Sequence, residues 1–481
     1  MNRKRTKIVA TISDKNCEPR FISELYKAGM DVVRINSAHL DIAGAQKIID
    51  NVRQISDKIA ILVDTKGPEI RTTICDNPIS VKKGSTVTIT GNPDKKSTAG
   101  KINVSLKTFS NDVHLGSLVM IDDGEIELKV IKKEGDSVIC KAENDGMIGS
   151  RKSVNLPGVK ITLPSLTEKD RAFIQIAAKN DIEFIAHSFV RSKQDVLDVQ
   201  AELDKYKSEI KIIAKIENQE GVDNLSDILD VVYGIMVARG DLAIEIPYEK
   251  IPPIQRMIIS RCIYCRKPVI VATQMLQSMI INPRPTRAEV SDIANAIYSQ
   301  TDAIMLSGET ANGKYPVEAV KTMTRVAVEV EKNKEKFMET PYLNVTGEIS
   351  AYLAKVAVKT SLRINAKGII ADTTGGKTIR DMASYRGFNL IMSQCYSERT
   401  MRELALSYGV YSNFQERRKS IDEFIHIALK NLVKAHDLKG NDLIVVLAGN
   451  FAAGSGFSFI EVGTVQYLKD RVSIKGDQLM V

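Results

Sequence analysis

Along this 481-residue chain, charged and hydroxyl side chains recur where short apolar runs stop. Arg34 and Asn36 close "DVVRIN", Asp64 and Lys66 follow "IAILV", and Lys215 and Glu217 close "KIIAKIE". Arg239 and Asp241 follow "YGIMVA", Thr273 closes "PVIVAT", and Ser307 and Glu309 follow "DAIML". Glu217 and Asp241 offer two hard carboxylates, which suits a magnesium or manganese ion that keeps water positions for a substrate. Arg34 and Lys215 add cations, which favours an oxyanion such as a phosphate or carboxylate over a sugar or peptide. The chemistry these residues fit is phosphoryl transfer or enolate chemistry on a small anion with a divalent metal. Nothing in the chain reads as a Ser/His/Asp triad or a Walker A loop, and its five histidines lack metal-ligand spacing.

The elements that must position these residues are eight short, β-branched runs. They are "KIVATI" (7–12), "DVVRIN" (31–36), "IAILVDT" (59–65), "FIAHSF" (184–189), "KIIAKIE" (211–217), "YGIMVA" (233–238), "PVIVAT" (268–273) and "DAIMLSG" (302–308). Apart from one gap, their spacing accommodates a strand, a helix and two loops per unit, and eight such units predict a closed (β/α)8 TIM barrel. In that fold chemistry sits at the C-terminal strand ends, where the polar residues above fall. The gap lies between the third and fourth runs, where period-2 alternation and Gly, Asn and Asp turns predict an inserted β-domain. After the eighth run, the helical "PVEAVKTMTRVAVEVEKNKEKF" leads into "KGIIADTT", "NLIMSQC" and "DLIVVLAG", buried parallel strands alternating with helices. The expected domains are a catalytic barrel (1–68 and 156–340), an inserted small β-barrel acting as a lid (69–155), and a C-terminal α/β domain with a mainly parallel sheet (341–481).

Composition narrows the class further. The chain is 43% hydrophobic and 26% charged, ordinary for a globular protein, and no apolar run approaches the ~18 residues of a membrane helix. "MNRKRTKIVATI" lacks the long apolar core of a secretory signal, so a cytoplasmic address is expected. The net charge of +8 is spread along the chain without interleaved aromatics, which argues against nucleic acid and fits an anionic small substrate. Six sparse cysteines are expected to stay reduced, with Cys262 and Cys265 on a helix in structural roles.

Six blocks resemble the signatures of the pyruvate kinase family, in order and over essentially the whole length. They are "VDTKGPEIRT" (63–72), "KIENQEGV" (215–222), "MVARGDLAIEI" (236–246), "VIVATQML" (269–276), "NPRPTRAEVSDIANAI" (282–297) and "DAIMLSGETANGKYP" (302–316). The resemblance implies transfer of the phosphoryl group of phosphoenolpyruvate to ADP. It implies that Glu217 and Asp241 hold Mg2+ or Mn2+, that Lys215 faces the phosphoryl group in flight, and that Arg34 holds its oxygens. Gly240, Asp241 and Thr273 would bind the substrate carboxylate, with Thr273 near the proton delivered to the enolate. Asp123 resembles the lid residue that closes the site, and Arg71, Lys160, His39 and Asn36 would face the nucleotide. A homotetramer is implied, and "ADTTGGKT" (371–378) matches the segment that holds effectors in some members.

Two departures concern a monovalent cation. The family holds potassium with Asn36, Asp64, the Thr65 carbonyl and a serine hydroxyl, but Ala38 stands at the serine position. Glu69, in contrast, is the residue that goes with potassium dependence in the family. The expectation is that K+ is still used, with water or the neighbouring Ser37 taking the lost position.

Overall fold

The computed structural model describes residues 3–161, 163–333, 343, 349–418, 420–449 and 458–470. The barrel strands are β1 (Lys7–Ile12), β2 (Val32–Asn36), β3 (Ala60–Asp64), β4 (Phe184–His187), β5 (Lys211–Ile216), β6 (Gly234–Ala238), β7 (Val269–Ala272) and β8 (Ala303–Leu306). They pair in parallel and close, β8 joining β1, so all eight predicted strands are present. Such strands are covered on both faces, which is why they read as near-continuous apolar runs.

Alternation along each strand then sorts the side chains. Val32, Leu62, Phe184, Ala186, Ile213, Met236 and Ile270 pack together inside the barrel. Val33, Ile35, Ile61, Val63, Ile185 and Ile212 instead join the core beneath the outer helices. Two residues further along the inner face come Arg34, Asp64, Ser188 and Lys215, so apolar layers support a polar one at the C-terminal rim.

Between β3 and β4 the chain forms a seven-stranded sheet. Its order is Ile70–Arg71, Ser153–Asn155, Leu118–Ile121, Ile126–Glu134, Ser137–Ala142, Thr86–Thr90 and Lys101–Asn103. The sheet curls until its two edges meet through an antiparallel bridge from Thr72 to Val104, the expected small β-barrel. Ile89, Phe109, Ile121, Leu128 and Val138 give it a core of its own. The entry hinge is fastened by Asp170, which accepts from the Lys66 and Gly67 amides while capping the helix Glu168–Lys179. Gly67 has φ +70°, and a Cβ there would lie 2.9 Å from Ser188 Cβ and Phe189 Cδ2, so only glycine passes this close to β4.

The C-terminal sheet is ordered Val410–Phe414, Leu390–Cys395, Gly368–Thr373, Leu443–Ala448 and Phe459–Thr464, parallel except for the last strand. Two of these strands, Val410–Phe414 and Phe459–Thr464, are additional to those expected from the sequence. The helix from Pro316 ends at Lys332 with Asn333 as its cap, and 334–337 of its predicted span lie outside the described residues. The six cysteines are all free thiols, as expected; Cys262 lies in the helix Ile251–Tyr264 and Cys265 caps it.

Candidate active site

At the rim, the inner-face residues form one hydrogen-bonded chain. Arg34 grips Asp64 through Nε (2.7 Å) and Nη2 (2.6 Å), and its Nη1 donates to Thr11 Oγ1 at 3.0 Å. The Lys215 ammonium donates to Ser188 Oγ at 2.6 Å and lies 3.1 Å from Asp64 Oδ1 and 2.9 Å from Glu217 Oε1. The other Glu217 oxygen accepts from the Phe189 amide at 2.6 Å. Phe189 has φ +54°, a left-handed conformation uncommon for an aromatic residue, and that bend points its N–H at the carboxylate.

A second cluster lies where β6 and β7 end. The Gly240 amide donates to Thr273 Oγ1 at 2.8 Å, and that hydroxyl donates to the Ala272 carbonyl at 2.6 Å. Thr273 has φ +70°, strained for a β-branched residue at a cost on the order of 1–3 kcal/mol. Arg239 holds the strained turn by donating to the Thr273 carbonyl at 2.6 Å, while Asp292 anchors the guanidinium at 2.7 Å.

Electrostatics separates the carboxylates. Burial would raise the pKa of Asp64, but Arg34 and Lys215 outweigh it and hold the group below the usual carboxylate range. Burial would lower Lys215, but Asp64 and Glu217 prevail and push it above the ordinary lysine value. Glu217 and Asp241 go the other way. Burial raises both, and Lys215 only partly offsets it. The rim therefore gathers more negative charge than its own cations neutralise, the condition a divalent ion would relieve. Among the described residues no three His, Cys, Asp or Glu side chains converge as a complete metal site. Glu217 and Asp241 adjoin one another and offer two hard carboxylates, a donor set that suits a Mg2+-type ion.

A cavity of about 370 Å3 opens between this rim and the inserted domain, lined by Glu217, Asp241 and Glu245 from the barrel and by Arg71, Asp123 and Lys160 from the insert and its return. Asp123 is fixed by Ser153, whose hydroxyl donates to it at 2.7 Å, and its charge reaches Asp241 across the cavity. Burial, helped by Asp241, raises the pKa of Glu245 to about 7. His39 is exposed and does not line the cavity. Of the other strand-end residues, Glu309 serves the scaffold, its carboxylate spent on the Leu276 and Ser307 amides, and the Lys66 backbone amide is bonded to Asp170.

At the expected monovalent site, Asn36 Oδ1 accepts from the Ala38 amide at 3.1 Å and the Thr65 carbonyl accepts from Ser188 Oγ at 2.6 Å. Ser37 Oγ is buried and finds no hydrogen-bond partner among the described residues, an unspent oxygen one residue before Ala38. Glu69 pairs with Arg71 at 2.5 Å. Far from the rim, the turn after Gly368–Thr373 has Gly376 at φ +78°, with its amide on Thr373 Oγ1 at 2.8 Å.

Sequence reasoning misses Thr11, Ser188, the Phe189 amide and Glu245. Ser188 is legible in principle: Phe184 and Ala186 set the inward phase of β4, and the next inward residue is Ser188.

A (β/α)8 barrel whose rim gathers two cations and surplus carboxylates under an inserted β-domain is the architecture of a barrel enzyme, with a rim suited to metal-assisted chemistry on small anions. The comparisons with known proteins give the particular family. Residues 3–320 match the model of the pyruvate kinase barrel domain, and residues 352–460 that of the pyruvate kinase alpha/beta domain. Pyruvate kinase of Borreliella burgdorferi is 49% identical over 96% of this chain and 98% of its own length. That of Staphylococcus saprophyticus is 42% identical over 99% of this chain and 81% of its own length. A crystal structure of a pyruvate kinase from Cryptosporidium parvum superposes with a TM-score of 0.91 at 35% identity, covering 96% of both chains. The chain belongs to the pyruvate kinase family, transferases that carry out the last step of glycolysis.

Proposed function

We propose that this chain moves the phosphoryl group of phosphoenolpyruvate to ADP and protonates the resulting enolate to pyruvate, using the rim of the barrel. The observation that carries the assignment of roles is the Lys215 ammonium, held within 3.1 Å of Asp64 and 2.9 Å of Glu217 beside Arg34. Arg34 and Lys215 hold the phosphoryl oxygens and neutralise charge that grows in transfer. An attraction of about 4 kcal/mol for unit charges ~4 Å apart at an effective dielectric near ~20 is the scale of such a contact. Glu217 and Asp241 would hold Mg2+ or Mn2+, which would supply Lewis-acid catalysis there. The amides of Gly240 and Asp241 and the Thr273 hydroxyl hold the substrate carboxylate, and Thr273 Oγ1 lies on the path of the proton to the enolate.

Arg71 and Lys160 face ADP across the cavity, Asn36 and His39 contact the nucleotide from outside its lining, and Asp123 closes over the site from the inserted domain and excludes water. Asn36, Asp64 and the Thr65 carbonyl would hold K+, with water or the buried Ser37 Oγ, unpartnered among the described residues, taking the place of the hydroxyl lost at Ala38. The same proposal takes the protein as a cytoplasmic homotetramer. Among the described residues no helix is long and apolar enough to cross a membrane. Ile349, Tyr352 and Val356 expose an apolar stripe on one face of the helix Ile349–Arg363, which supports contact between copies.

A coupled assay for pyruvate from phosphoenolpyruvate and ADP, with and without Mg2+, tests the proposal. Metal-dependent pyruvate formation is expected. Pyruvate formed at the same rate after chelation, or none under any condition, would overturn it.

A further inference from the structure

We infer that Ser188 is a positioning residue for phosphoryl transfer: together with Asp64 it fixes two N–H bonds of Lys215 and so aims the third at the phosphoryl group. The inference deepens the functional reading above and rests on it.

An ammonium has three N–H donors and no acceptor, so its partners can be counted. Lys215 has three: Ser188 Oγ at 2.6 Å, Asp64 Oδ1 at 3.1 Å and Glu217 Oε1 at 2.9 Å. Glu217 is the partner committed to the divalent ion, so its N–H is the one released toward substrate. Ser188 and Asp64 remain, and two fixed bonds on a tetrahedral nitrogen set the direction of the third. Asp64 is itself locked by two bonds from Arg34.

The Ser188 hydroxyl is equally constrained. Its proton goes to the Thr65 carbonyl at 2.6 Å, with Asp64 Oδ1 more distant at 3.3 Å, which turns its lone pair to Lys215. The backbone beneath it is tied by the Ser188 amide to Thr65 Oγ1 at 3.0 Å, and Gly67 closes over its Cβ. At 2% exposure, no bulk water is at hand to take its place. The hydroxyl is thus a rigid acceptor, built where a flexible lysine needs one.

The alternative is that Ser188 only clips β3 to β4, and a double-mutant cycle separates the two. Ser188→Ala, Ser188→Thr, Lys215→Met and Ser188→Ala with Lys215→Met would be assayed at saturating Mg2+, with thermal unfolding as the check on folding. Ser188→Ala is expected to lower kcat about 100-fold while the phosphoenolpyruvate KM stays within about threefold of the parent. Ser188→Thr, which restores the hydroxyl, should recover most of the loss. Adding Ser188→Ala to Lys215→Met should cost nothing further, since the lysine it positions is gone. Should Ser188→Ala not fold, Ser188→Cys, similar in size but a weak acceptor, carries the same expectation. An unchanged kcat in Ser188→Ala, or full additivity in the double variant, overturns the inference. A parent chain that makes no pyruvate would instead overturn the functional reading.

Discussion

The two ends of the barrel bury charge in opposite ways. At the N-terminal end, facing the C-terminal domain, the buried carboxylates of Glu183 and Asp302 each meet guanidinium groups and backbone amides. Glu183 takes Arg53 at 2.8 and 3.0 Å, the Ile61 amide at 2.7 Å, and Arg402. Asp302 takes Arg386 at 2.8 and 2.5 Å with the amides of Val269 and Tyr408. At the C-terminal rim, Asp64, Glu217 and Asp241 share two cations, and burial lifts the last two above the usual carboxylate range. Buried charge as such marks neither end. Raised carboxylates that open onto a cavity distinguish the rim, whereas the matched charge of Glu183 and Asp302 at the other end joins two domains.

The contrast can be broken most sharply at Lys215. Lys215→Met should lower kcat by roughly three powers of ten with the fold intact by circular dichroism; near-parent turnover would remove the rim's claim to the chemistry. At the opposite end the expected outcome inverts. Arg386→Met leaves Asp302 buried without its guanidinium, and should lower unfolding free energy by about 3–5 kcal/mol in denaturant titration. The kcat of the folded fraction should stay at the parent value, and a specific loss of kcat there would blur the distinction.

A smaller effect sharpens the comparison through pH. Burial lowers the pKa of His187 from 6.5 to about 4, and His436, beside Arg3 and Lys58, is lowered likewise. In each case the unfolded chain takes up the proton first, so the stability these groups contribute is complete above pH 6.5. It is lost as pH falls toward 4, on the order of 3 kcal/mol for His187. Stability measured across that window should show a slope lower by about one proton in His187→Asn than in the parent, the raised Glu217 and Glu245 contributing equally to both; an unchanged slope would contradict the assignment.

Much of this is legible in the amino-acid sequence. The eight barrel strands stand out because parallel strands covered on both faces need unbroken apolar side chains. Arg34, Asp64, Lys215, Glu217 and Asp241 stand out because they end such runs. Val410–Phe414 does not, since its half-exposed residues weaken the apolar pattern, and Phe459–Thr464 pairs antiparallel at an edge with no strong burial. The division of labour within the rim is also hidden. That Glu309 is consumed by its own turn, or that Ser188 spans Lys215 and the Thr65 carbonyl, depends on neighbours across strands that no local pattern records.

On the proposed function, the surplus carboxylates at the rim hold the divalent metal. Titration of the chain with Mn2+, followed by electron paramagnetic resonance, tests it directly. Binding by the parent and by Arg386→Met with equal affinity is expected, and binding weakened at least about tenfold in Glu217→Gln. Equal affinity in Glu217→Gln would contradict it.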